Sequence, residues 1–196
     1  MFCFIGFYDY TVILTYMSLL SAVLGMTFAH GGRFDAAVLC LFFCGFCDTF
    51  DGTVARTKKN RTDDEKAFGI QIDSLCDCVS FGVFPAILCY CMGMNTIPGI
   101  IIAGVFSLCA VIRLGYFNVL EGKRQQTEGG CNKVYHGLPV TSIAALLPMT
   151  YLIGKLLPQH IFVLVIHVLM AVVAFLFVLD FEMKKPDITK ILVKSK

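Results

Sequence analysis

Six runs of apolar residues, each close to the length that crosses a bilayer, limit what this chain can fold into. A helix needs roughly 20 mainly apolar residues to span about 30 Å of hydrocarbon. The runs are Tyr10–His30, Phe34–Arg56, Gly69–Met92, Ile97–Leu120, Leu138–Leu157 and His160–Phe181. In lipid every backbone N–H and C=O must be paired inside its own segment, so each run is expected to be a helix. Composition points the same way. Of 196 residues 57% are hydrophobic and only 15% are charged, whereas a soluble domain is about a quarter charged. The expectation is an all-α integral membrane protein of about six transmembrane helices, forming a single domain over residues 1–196. Pro85 and Pro148 fall inside spans, which membrane bundles tolerate.

Charge predicts the orientation. Six spans put both termini on one side, and cationic residues mark the cytoplasmic face. That face collects Arg56, Lys58, Lys59, Arg61 and Lys66 after the second span, Lys123, Arg124 and Lys133 after the fourth, and the basic tail 182–196 with Lys184, Lys185, Lys190, Lys194 and Lys196. The opposite face has only Arg33 and Lys155. Both termini are therefore expected in the cytoplasm, with the tail able to dock on anionic lipid heads. Met1–Gly32 carries no Lys or Arg and no clear cleavage site, so Tyr10–His30 reads as a retained span rather than a signal peptide. The net charge of +2 gives no ground for a nucleic-acid partner. Ten cysteines lie mostly within apolar runs, where a thiol behaves as a small hydrophobe. Cys44 and Cys47 form a CxxC, but no second pair completes a zinc site.

Against this background four acids stand out in the stretch 47–78, CDTFDGTVARTKKNRTDDEKAFGIQIDSLCDC. Asp48 and Asp51 are spaced i,i+3; Asp73 and Asp77 are spaced i,i+4. Each spacing puts a pair on one helix face. The topology sets both pairs near the cytoplasmic ends of two antiparallel helices. One Asp near a span end is ordinarily a solvated interfacial residue, and Gly52 and Ala55 alone would be read as helix packing. Four acids at one depth are different, because they cannot all stay ionised without a counter-charge. Hard divalent cations, Mg²⁺ or Mn²⁺, suit an all-oxygen donor set, and two ions can clamp the attacking and leaving oxygens of a phosphoryl displacement. Gly52, Ala55 and Gly69 allow close approach of backbone to ligand or helix. Arg56 offers a guanidinium fork to a phosphate or carboxylate.

The order of these residues resembles the signature of the CDP-alcohol phosphatidyltransferase family, D-x2-D-G-x2-A-R followed by G-x3-D-x3-D. Asp48, Asp51, Gly52, Ala55, Arg56, Gly69, Asp73 and Asp77 occupy all its defined positions. The resemblance implies attack of an alcohol on the β-phosphate of CDP-diacylglycerol, with CMP leaving. It implies that Asp48, Asp51, Asp73 and Asp77 hold a divalent-metal centre of two ions and that Asp77 is also the general base. It further implies that Asp48, Asp51, Gly52, Ala55, Arg56 and Gly69 form the cytidine-diphosphate site, and that the enzyme is a homodimer in the cytoplasmic membrane with its site facing the cytoplasm. The spacer 57–68 is longer than is usual in the family, and its polar part, TKKNRTDDEK, is expected to be a solvated loop. Lys66 stands where the family often has a small hydroxyl residue.

The flanks IDSLCDCVSFGVFPA (72–86), RLGYFNV (113–119) and HGLPV (136–140) resemble the phosphatidylserine synthases of bacteria and archaea, which makes L-serine the expected acceptor. The glycerol-phosphate branch usually shows D-P-x-x-D-K at the last two acids, where this chain has Ser74 and Cys78. Arg113 is read as a fixed cation for the serine carboxylate or a phosphate, against simple snorkelling to the interface. Asn118 is the second acceptor candidate, against helix-end capping. Glycerol 3-phosphate, inositol and inositol phosphate are the alternative acceptors. Ion or proton transport through the aspartates and a catalytically silent scaffold are the rivals from other classes. His30 and His160 are expected at interfaces and His167 in packing, while His136 stays a lesser site candidate.

Overall fold

The computed structural model describes residues 6–7, 10–55, 58, 62–126, 134–180 and 182–184. A turn of 3-10 helix, Tyr10–Val12, leads into α1 (Ile13–His30), followed by α2 (Phe34–Ala55). Next, α3 (Asp63–Asp77) runs through a π-helical stretch, Cys78–Val83, into α4 (Phe84–Cys91). The bundle is completed by α5 (Ile97–Gln126), α6 (Ile143–Gly154) and α7 (Gln159–Val178). Among the described residues five helical segments are long and apolar enough to cross a membrane: Ile13–His30, Phe34–Val54, Asp63–Cys91, Ile97–Gly122 and Gln159–Val178.

The remaining expected span is a shorter apolar helix, Val140–Gly154. It begins late because Gly137 takes φ +69° and Pro139 is extended, with ψ 139°. Two further boundaries move. α5 continues to Gln126, beyond the apolar run. The third span starts at Asp63 rather than Gly69, so the second half of TKKNRTDDEK is helix and not loop. The physical reason is a capping box: Thr62 accepts from the Glu65 backbone N–H, and the Glu65 side chain accepts from the Thr62 N–H. Together the two bonds satisfy helix-start donors that would otherwise be orphaned.

Small residues decide the packing. α1 buries Thr15, Ser18, Ala22, Gly25 and Ala29, a stripe spaced alternately by three and four that lets neighbouring backbones close in. α2 is its main partner, with α4 also against it. A Cβ on Gly25 would lie 2.2 Å from Cζ of Phe84, a ring with no solvent exposure. Likewise α2 and α6 meet where a Cβ on Gly45 would lie 2.6 Å from Cβ of Ala144. Phe81, Phe84, Phe106, Leu147, Ile166 and Phe177 fill the interior. The large apolar residues left outside, such as Leu20, Leu39, Leu108, Leu164 and Phe175, cover the surface a bilayer would contact.

At the end of α2 remote from Asp48 and Asp51, Asp35 forms an ion pair with Lys155 and accepts a hydrogen bond from the Tyr151 hydroxyl at 3.1 Å. This contact puts the α1–α2 turn and the end of α6 at the same end of the bundle, as the charge pattern predicts for Arg33 and Lys155. A short antiparallel ladder pairs β1 (Val134–His136) with β2 (Glu182–Lys184), which the apolar pattern does not announce. The rest of the basic tail, 185–196, lies outside the described residues.

Candidate active site

α2 supplies Asp48 and Asp51, and α3 supplies Asp73 and Asp77. Asp77 is buried, with 8% of its surface exposed; the other three are half-buried. The structure brings all four together as two facing pairs. Side-chain hydrogen-bond contacts join Asp48 to Asp77 and Asp51 to Asp73. Asp73 also interacts electrostatically with Asp48 and Asp77. This register is what antiparallel helices give: three residues forward on α2 match four residues back on α3. The backbones of α2 and α3 are not principal packing partners of each other; their carboxyls make the link between them.

An ionised carboxylate has no donor. Two of them can sit in contact only with a proton or a cation between them. Among the described residues no group of three or more His, Cys, Asp or Glu side chains is gathered tightly enough to hold one metal ion. The four acids are nonetheless linked electrostatically across the pairs, Asp51 with Asp48 and Asp77 with Asp51. In kind, their donors fit hard divalent cations, being all oxygen and all anionic.

Gly52 is exposed, and among the described residues no atom beyond its own stretch of helix lies within 4 Å of where its Cβ would be. Packing against the other described helices therefore does not account for it. Gly69 is half-buried on α3, one turn before Asp73. Ala55 closes α2. Arg56 lies outside the described residues.

The π-helical stretch begins at the residue after Asp77. Such widened turns occur mostly singly and often at functional sites. Two serines pin this one. Ser107 Oγ donates to the Gly82 carbonyl at 3.0 Å, and Ser18 Oγ donates to Ser80 Oγ at 3.2 Å in a buried contact. These bonds tie the turn beyond Asp77 to α5 and α1.

The two acceptor candidates part company. They are five residues apart on α5, about 140° around the helix. The Arg113 guanidinium lies against Gly137, whose Cβ would come 3.2 Å from Nη1, and Asp180 and Tyr116 act on it electrostatically. Asn118 instead faces α3, where its Oδ1 accepts from Ser74 Oγ at 2.6 Å. Sequence reasoning used Ser74 only to separate branches and missed this contact; a hydroxyl residue between Asp73 and Asp77 was the available signal.

The other singled-out residues fall in structural places. His167 Nδ1–H donates to the Val163 carbonyl at 2.7 Å, and a Cβ on Gly99 would lie 2.9 Å from its Nε2, so it packs between α7 and α5. His30 ends α1, and His160 lies exposed in the first turn of α7. His136 lies in β1, and its side chain is outside what the structure describes. Cys44 Sγ donates to the Ser18 carbonyl at 3.2 Å, joining α2 to α1.

Residues 10–181 match the CDP-alcohol phosphatidyltransferase family. The chain belongs to that family. Among curated relatives, it is 33% identical over 143 residues to the archaetidylserine synthase of Methanothermobacter thermautotrophicus, covering 72% of this chain and 57% of that protein. It is 32% identical over 156 residues to the CDP-diacylglycerol–serine O-phosphatidyltransferase of Methanocaldococcus jannaschii, covering 79% of this chain and 68% of the relative. With the Bacillus subtilis protein of the same name it shares 41% identity over 90 residues, covering 45% of this chain and 49% of that one. The matched region spans about half of the length of several of these relatives.

Proposed function

We propose that the chain transfers the phosphatidyl group of CDP-diacylglycerol to the hydroxyl of L-serine, releasing CMP. The observation that carries this reading is the meeting of Asp48 with Asp77 and Asp51 with Asp73 between α2 and α3, in a chain of this family. Serine as acceptor is supported by the names of the relatives.

In the proposed reaction the serine hydroxyl oxygen bonds to the β-phosphorus. The bond from that phosphorus to the oxygen bridging to the α-phosphate breaks, and CMP leaves with the electron pair. A serine hydroxyl is a poor nucleophile near neutral pH and needs a positioned base. Asp77 takes its proton. Asp77 is the most enclosed of the four acids and is tied at its C-terminal side to the pinned π-helical turn, which suits a base that must not wander. Asp48, Asp51, Asp73 and Asp77 would hold divalent cations, Mg²⁺ or Mn²⁺. A centre of two ions is the proposed count. When bound, the ions would neutralise the pyrophosphate and the charge that builds on the leaving oxygen. The nucleotide end of the donor is proposed to lie over Gly52, with Ala55, Arg56 and Gly69 as its partners by their positions in the signature.

For the acceptor, Asn118 is favoured over Arg113, because it sits against the helix that carries Asp73 and Asp77. Arg113 is proposed to brace the Gly137 loop and the end of α7. The site is proposed to face the cytoplasm, with both termini on that side of the cell membrane, and the enzyme to work as a homodimer.

An acceptor screen tests the reading. Purified protein with CDP-diacylglycerol and Mn²⁺ receives serine, glycerol 3-phosphate, inositol or inositol phosphate, and CMP release is measured. Release with serine alone is expected. Release with a different alcohol instead would keep the chemistry and overturn the acceptor. No release with any of them from folded protein would return the aspartates to a transport or scaffold role.

A further inference from the structure

The contact between Ser74 and Asn118 has chemical content beyond joining α3 to α5. An asparagine amide holds one acceptor oxygen and two N–H donors. Ser74 Oγ occupies the oxygen at 2.6 Å and asks nothing of the nitrogen. The Asn118 Nδ2 hydrogens make no hydrogen bond among the described residues. Nor is that nitrogen walled in: among the described residues the buried side-chain N or O atom lacking a partner is Ser142 Oγ. Both Ser74 and Asn118 are half-buried. Ser74 follows Asp73 and precedes Asp77 by three residues on α3, so the held amide is one side-chain contact away from the helix segment that carries both acids.

An acceptor amino acid carries an ammonium and a carboxylate. The four aspartates, acceptors only when ionised, have no N–H or O–H to offer the second. The carboxylate therefore needs a donor that is not part of the acidic quartet, and a neutral N–H pair on the neighbouring helix provides one. We propose that Ser74 is a positioning residue that holds Asn118 Oδ1, so that Asn118 Nδ2 donates to the carboxylate of the acceptor and selects it over an amino alcohol lacking that group. This inference rests on the serine reading given above.

The test compares serine with ethanolamine, which keeps the hydroxyl and the ammonium but has no carboxylate. The readout is CMP release by the purified full chain. Losing one well-placed hydrogen bond should raise the KM for serine roughly tenfold in Ser74→Ala. The KM for CDP-diacylglycerol, the Mn²⁺ activation constant and kcat at saturating serine should stay near wild type. Ser74→Thr, which restores a hydroxyl, should recover the KM for serine. Asn118→Asp keeps an oxygen for Ser74 but has no N–H, so its preference for serine over ethanolamine should collapse. If Ser74→Ala moves the Mn²⁺ constant or the lipid KM as much as the serine KM, Ser74 acts on the aspartates and the proposal is wrong. An unchanged serine-to-ethanolamine ratio in Asn118→Asp would also overturn it. A wild-type chain that releases CMP with another alcohol and not with serine sinks both readings; one that uses serine, with an unaltered serine KM in Ser74→Ala, sinks this one alone.

Discussion

Replacing Gly52 by alanine separates a glycine kept for a ligand from one kept for packing. The same substitution at Gly25 is the internal control. At Gly25 the new Cβ would fall 2.2 Å from Phe84 Cζ, 2.8 Å from Phe84 Cε1 and 2.9 Å from Cys40 Cβ. These distances are well inside van der Waals contact, and the Phe84 ring has no exposed surface into which it can swing. Overpacking of this sort costs about 1–3 kcal/mol, against a gain of about 1 kcal/mol from replacing a helical glycine with alanine. At such short distances the steric cost wins, and Gly25→Ala should melt earlier by a few degrees in detergent. At Gly52 no atom of another described helix lies within 4 Å of the new methyl, so the helix gain is expected to dominate and the melting temperature should hold or rise slightly. Yet the methyl stands in the space proposed for the nucleotide. A tenfold rise in the KM for CDP-diacylglycerol would correspond to about 1.4 kcal/mol and is the expected result. Thermal melts and CMP release on the two variants are the assay. If Gly52→Ala loses stability as Gly25→Ala does, its role is packing after all. If it keeps wild-type stability and wild-type KM, the ligand does not come to this face of α2.

Two other perturbations address the carboxyl pairs, and a third addresses the remote end. Asp77→Asn keeps the shape of the side chain and can donate to Asp48, so the fold should survive; turnover should fall by roughly 10²–10⁴, the usual contribution of a general base, while binding of CDP-diacylglycerol is largely kept, and equal loss of both would make Asp77 chiefly structural. Chelation should stop CMP release and added Mg²⁺ or Mn²⁺ should restore it; full activity in chelator would remove metal from the mechanism. Asp35→Asn breaks an exposed ion pair with Lys155, and such pairs contribute little, so melting temperature and activity should both stay close to wild type; a marked loss of activity would show that this end of the bundle communicates with the aspartates.

The apolar runs predicted the helices well because length and composition are what a bilayer selects, and neither depends on which neighbours a helix finds. Boundaries were less legible where polar residues continue a helix beyond lipid. The start of α3 is the instructive case: Thr62-x-x-Glu65 was readable as a capping box, but the mixed charge of the segment masked it. The end of α5 at Gln126 offered no such signal. The β1–β2 ladder joins segments far apart in sequence, each too short to show a period of two.

At the site, legibility followed how much each role depends on a single helix. The spacings i,i+3 and i,i+4 place each aspartate pair on one face before any tertiary contact is known, so the quartet could be read from residue order. How the pairs meet could not, because it depends on the register between α2 and α3, and that register joins Asp48 to Asp77 and Asp51 to Asp73. The same reason explains why the proposed acceptor role passes from Arg113 to Asn118. A lone cation within an apolar run draws attention in a sequence, whereas an asparagine near a span end does not. But which residue reaches the reacting groups is decided by rotation of α5 about its axis. Gly82, Ala110 and Ser107 bear on that rotation alongside α7, the main partner of α5: a Cβ on Gly82 would lie 3.3 Å from Ala110 Cβ, and Ser107 reaches the Gly82 carbonyl. The π-helical turn therefore does two things from one place: it anchors the helix end that carries Asp77, and it helps orient the face of α5 that Ser74 meets at Asn118. A substitution that relaxes the turn without touching either residue, Ser107→Ala, should consequently lower kcat and raise the KM for serine together. A change in kcat alone would confine the turn's influence to Asp77 and detach α5 from it.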